Sequence, residues 1–131
     1  MAIGKDFPGK NDTWFCLVVE EERERLVGFV KGQVYNHADH ANFSGELNKI
    51  YLLRKFHKRG LGRELICRVA REFVQRGVHS MLLFGDENNP SNKFYEQMGG
   101  GKLFATNGEF HGGYGWTDLK KLVADCTSLS R

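Results

Sequence analysis

Between residues 54 and 63 the chain reads Arg54-Lys55-Phe56-His57-Lys58-Arg59-Gly60-Leu61-Gly62-Arg63. Five of these side chains are Lys or Arg, and two are glycines. From Gly60 onward the apolar residues are Leu61, Leu65, Ile66, Val69, Ala70, Phe73 and Val74. That spacing predicts one face of an α-helix over residues 60–75, with Gly77 as its stop. The first N–H groups of such a helix lack intrahelical partners, and the helix dipole favours an anion there. Glycine at that turn lets a ligand reach the backbone. The chemistry this pattern offers is therefore phosphate binding. A Walker phosphate loop is absent, and a dinucleotide fingerprint would need a third glycine where Leu65 stands. Taken alone, the segment leaves two readings open, an anion cradle and a solvated basic face.

The elements that would position this loop follow from the rest of the chain. Thr13–Glu20 and Leu26–Tyr35 are rich in aromatic and β-branched residues and read as a hairpin, with Gly28 and Gly32 as bulge candidates. Glu46–Leu53 reads as the strand that feeds the basic loop. Ser80–Gly85 is apolar without alternation, as in a buried parallel strand. Asn89-Pro90 is a cap followed by proline, and opens a short helix that ends at Gly99-Gly100-Gly101. Lys102–Thr106 and Glu109–Trp116 read as a last strand pair, and Thr117 or Asp118 caps a helix through Val123. The fold class is a mixed α/β sheet. The unit over residues 46–85 makes its two strands parallel through a right-handed crossover.

The chain has 131 residues, 40% hydrophobic and 27% charged, with a net charge of +3. These values describe one globular domain and exclude a disordered tail, a fibre or a coiled coil. Residues 1–12 read as a loose arm and residues 13–131 as the domain. No apolar run is long enough to span a membrane, and the first residues lack a secretory apolar block. Cys16, Cys67 and Cys126 are far apart and odd in number, and read as free, core-filling thiols in a reducing cytoplasm.

Three segments together resemble the GNAT superfamily of acyl-CoA-dependent N-acetyltransferases. They are Glu46-Leu47-Asn48-Lys49-Ile50-Tyr51-Leu52-Leu53, the basic glycine loop, and Asn89-Pro90-Ser91-Asn92-Lys93-Phe94-Tyr95-Glu96-Gln97-Met98-Gly99-Gly100. The ending Tyr114-Gly115-Trp116-Thr117-Asp118-Leu119 is also similar to the tail of bacterial members. The resemblance implies a central sheet with a splayed parallel pair, helices on both faces and acetyl-CoA as cosubstrate. It places pantetheine along Leu52 and Leu53 and the pyrophosphate over His57, Lys58, Arg59, Gly60, Leu61, Gly62 and Arg63, with His57 where the family has Gln or Arg. Asn89 is a cap that also matches a family position near the cofactor. Tyr95 matches the family tyrosine that protonates the leaving thiolate. Glu46 opens the central strand, and is expected on one face with Asn48, Ile50 and Leu52, where it would accept the amine proton.

The family's fold begins with a strand and two helices ahead of the hairpin, and this chain is expected to lack them. Thr13–Glu20 would then be an unpaired sheet edge, which implies a homodimer that covers it. The function expected is N-acetyl transfer from acetyl-CoA to a primary amine, on a small molecule or a peptide, by direct attack. The alternative is a CoA-binding module without catalysis. A nucleic-acid-binding domain lacks its stacking aromatics among the cations, so no nucleic acid and no membrane partner is expected. His37 and His40 could contact the acceptor, and no metal site is expected.

Overall fold

The computed structural model describes residues 2–6, 13–22, 25–54 and 60–129, with the backbone alone at residues 2, 4–6 and 127–129. The elements in chain order are β1 (Ala2–Asp6), β2 (Trp14–Glu20), β3 (Leu26–Val34), β4 (Gly45–Leu52), α1 (Leu61–Gln75), β5 (Met81–Leu83), α2 (Asn92–Gln97), β6 (Gly101–Phe104), β7 (Phe110–Trp116) and α3 (Leu119–Leu129). The strands form one sheet in the order β1-β2-β3-β4-β5-β7-β6. Among the described strands only β4 and β5 pair in parallel.

Helix α1 follows its apolar stripe closely. Leu65, Ile66, Val69 and Ala70 are fully buried, each removing roughly the surface of an aliphatic side chain from water. Gly77 ends the helix in the left-handed region (φ 81°), and the Val78 N–H closes it on the Phe73 carbonyl at 2.9 Å. That bond is the one that defines a Schellman stop.

Strand β1 corrects two expectations. Residues 2–6, read as loose, pair antiparallel with β2, and the Arg68 guanidinium of α1 donates to the Ile3 carbonyl at 2.8 Å. A strand therefore does precede the hairpin, and the edge of β2 that motivated a homodimer is occupied. Seven residues separate β1 from β2 in the sequence, where the resemblance places a pair of helices.

The strand registers also fix which face each helix covers. Phe15 lies opposite Gly32, and a Cβ on Gly32 would collide with the rings of Phe15 and of Phe73 in α1. The same face continues through Gly45, Met81 and Trp116 by direct pairing. Trp116 donates its indole N–H to the Met98 carbonyl just after α2, at 3.1 Å. A Cβ on Gly62 of α1 would touch Phe94 of α2. A disulfide between Cys67 and Cys126 ties α3 to α1. All three described helices thus lie on one face, where helices on both faces were expected. On the other face the loop before β4 lays Tyr35 and Phe43 over Leu82.

The disulfide corrects the reading of three free thiols. Among the described cysteines Cys16 alone stands outside a disulfide, and it is buried. The cysteines therefore no longer argue for a reducing compartment. No helix of the described residues is long and apolar enough to cross a membrane.

Candidate active site

Strands β4 and β5 pair only at Gly45–Met81 and Glu46–Leu82. Beyond those residues β4 runs on to Leu52, whereas β5 stops at Leu83. The strands separate, and a cleft of about 340 Å³ opens between them. Leu47, Asn48 and Ile50 line one side, Leu83 and Phe84 the other, and Asn89 and Tyr95 also reach it.

A bulge shapes the β4 side. Lys31 pairs with Lys49, but Gly32 pairs with Leu47, so Asn48 is an extra residue. The bulge reverses the alternation of side chains along the strand. Leu47, Ile50 and Leu52 face the helices and join the main core, while Glu46 shares the face opposite the described helices with Lys49 and Tyr51. Glu46 was expected beside Ile50 and Leu52; the extra residue separates them. Its carboxylate is held by Gln33, whose Nε2 donates to Oε1 at 2.9 Å. Past the bulge, the Leu53 N–H donates to the Val27 carbonyl of β3 at 2.9 Å. Alternation in an antiparallel ladder then turns the peptide groups of Ile50 toward the cleft.

Tyr95 comes from the middle of α2. Its ring is buried against Tyr114, with centroids 5.8 Å apart, and against Trp116 at 6.4 Å. No described group hydrogen-bonds its hydroxyl, which is also not sealed from solvent; it is a free donor in the cleft. Burial raises the phenol above its ordinary pKa, so it keeps its proton through neutral pH. Behind it, Tyr114 donates to Glu96 Oε2 at 2.5 Å, and burial together with that bond pushes its phenol up to about 12. Asn89 fixes the approach to α2, its Oδ1 accepting the Ser91 N–H at 2.8 Å.

At the end of β4 the basic loop leads into α1. Gly60 adopts a left-handed conformation (φ 76°), and a Cβ there would project into open space. Leu61 and Gly62 form the first turn, with Arg63 half-buried beside them. His57, Lys58 and Arg59 lie outside the described residues. The structure brings Asn89 and Tyr95 to one cleft, with Glu46 next to its closed end. Leu52 lies further along β4, with its side chain in the core. Asn48, Phe29 and Phe84 were missed as site residues. Nothing in their types distinguishes them; the bulge and the splay that expose them are tertiary features.

The sequence pattern of the acetyltransferase (GNAT) family matches residues 4–100. The chain belongs to the GNAT acetyltransferase family. The GNAT chain is 32% identical over 113 residues to an uncharacterized N-acetyltransferase, YuaI, of Bacillus subtilis (strain 168), covering 81% of this chain and 64% of that protein. In fold it is similar to the PaiA N-acetyltransferase of Thermoplasma acidophilum, solved in complex with coenzyme A. The TM-score is 0.64 at 17% identity, over 79% of this chain and 60% of that one. It is also similar to AtaTR bound with AcCoA, with a TM-score of 0.65 at 16% identity, over 84% of this chain and 70% of the other. This GNAT chain thus spans just under two thirds of the length of YuaI and of the PaiA protein. The mixed sheet with its splayed parallel pair is the fold expected from the sequence.

Proposed function

We propose that the chain is an N-acetyltransferase that moves an acetyl group from acetyl-CoA to a primary amine by direct attack. The observation that carries this reading is the cleft between β4 and β5, with Tyr95, whose hydroxyl no described group hydrogen-bonds, in its lining. Acetyl-CoA supplies the acetyl group activated as a thioester. The cleft fits a narrow, partly polar chain: Ile50 turns its peptide groups toward it, and Leu83 and Phe84 give it an apolar lip. Gly60, Leu61, Gly62 and Arg63 present unpartnered N–H groups and a cation to a phosphate. Lys58, Arg59 and His57 belong to the same basic stretch of sequence.

Each proton has a place to go. The amine nitrogen bonds to the acetyl carbon as the carbon–sulfur bond breaks. Tyr95 gives its proton to the sulfur, and Glu46 takes up the proton that the nitrogen sheds, directly or through water. The tetrahedral oxygen meets the backbone at the Asn48 bulge.

Two measurements test the reading. Calorimetry should show acetyl-CoA binding, and a thiol assay should show CoA release that depends on an added amine. Binding without release for any amine would favour the alternative, a CoA-binding module; what favours that alternative is that all three described helices lie on one face of the sheet. Absence of binding would reject both.

A further inference from the structure

The face of β3 and β4 opposite the three described helices carries three rows of side chains directly across from one another. They are Gln33–Glu46, Lys31–Lys49 and Phe29–Tyr51. Successive rows stand roughly 7 Å apart along β3. In the first, Gln33 holds the Glu46 carboxylate. In the last, the two rings lie 5.9 Å apart, and Tyr51 is 50% exposed. The middle row sets two lysines across from each other in register, and like charges in that position weaken a strand pair. Among the described residues neither lysine pairs with a carboxylate; Lys31 rests over the Trp14 ring at 5.3 Å. Phe29 and Lys49 also line the cleft, so this patch and the cleft are one surface.

A carboxylate, a cation pair and an aromatic pair in that order complement a molecule that carries an amine, a carboxylate and an apolar group on one carbon. Resting on the transferase reading, we infer that the acceptor is an α-amino acid with an apolar or aromatic side chain. Its amine lies toward Glu46 and the cleft, its carboxylate against Lys31 and Lys49, and its side chain on Phe29 and Tyr51. The ligand carboxylate gives the two lysines the counter-charge that no described carboxylate supplies, which a simple amine cannot do. The transfer balances as above, giving the N-acetyl amino acid and free CoA thiol.

The test uses the intact chain with saturating acetyl-CoA and two acceptors that differ only in the carboxylate, L-phenylalanine and 2-phenylethylamine. A charged hydrogen-bonded contact predicts kcat/KM roughly 10- to 100-fold higher for the amino acid. Lys49→Met and Lys31→Met should each pull that ratio toward one, mainly through KM. Equal use of both acceptors, or a ratio unmoved by both substitutions, overturns the inference. Calorimetry on the CoA-loaded chain separates this from the reading beneath it. Binding of L-phenylalanine that weakens in Lys49→Met, without thiol release, upholds the amino-acid site and removes the transferase reading. Thiol release with other amines, but no binding of L-phenylalanine, overturns the site and leaves the transferase reading standing.

Discussion

Tyr95 meets Trp116 edge-on, at 89° between ring planes. Trp116 is itself anchored through its indole N–H to the Met98 carbonyl. The phenol is thus held by apolar contacts on its ring while its oxygen stays free in the cleft. A group meant only for packing would not need the oxygen. Replacing Trp116 with Leu should loosen α2 and lower turnover while leaving acetyl-CoA affinity within about threefold. Crystallography or Tyr95 ring NMR would check that the ring has moved; unchanged turnover would show that the contact does not position the phenol.

The glycine cradle gives a binding prediction. A Cβ at Gly62 would meet only Phe94, at ordinary contact distance, so Gly62→Val should fold with a stability within about 1 kcal/mol of wild type. The added methyl groups would stand over the first-turn N–H groups. Acetyl-CoA affinity measured by calorimetry should fall at least tenfold. Unchanged affinity would move the phosphate site away from α1.

The Cys67–Cys126 bridge closes a loop with a sequence separation of 59. Chain-entropy arguments give such a bridge about 4 kcal/mol. Reduction, or Cys126→Ser, should lower Tm by roughly 10–20 °C. A scanning measurement with and without reductant checks this; identical Tm values would mean that the bridge does not form in solution.

Tyr114 gives an alkaline prediction. Its pKa is about 12 in the fold, against about 10 in an unfolded chain. The folded state holds that proton more tightly, so the contribution is full below pH ~10 and is lost as pH rises from there through about 12. Denaturant midpoints of the wild type should therefore fall steeply across that window. Tyr114→Phe should start lower at neutral pH, because the bond to Glu96 is gone, and fall less steeply. Equal slopes would assign the alkaline loss to other groups.

The parts of this fold that sequence reveals are those with a strong local period. Helix α1 shows because its apolar face repeats over four turns, and Gly77 stops it visibly. Asn89, Pro90 and Tyr95 show as a motif in fixed order. Strand β1 does not, because Ala2–Asp6 is short and polar and is held by its pairing to β2 and by Arg68. The reversal at Asn48 is equally hidden: a bulge adds one residue without changing composition, so Glu46 was placed on the wrong face. The disulfide escapes because two cysteines far apart in the chain meet only once α3 docks on α1.

The most direct test of the account is pre-steady-state thiol release from acetyl-CoA by the wild type and by Tyr95→Phe, with an amine acceptor that the wild type uses. General-acid loss predicts a fall of roughly 10²–10⁴-fold in the release rate, with acetyl-CoA affinity within about twofold of wild type. Release at the wild-type rate in Tyr95→Phe would contradict the account: water would protonate the thiolate, and Tyr95 would serve only to pack α2 against Trp116.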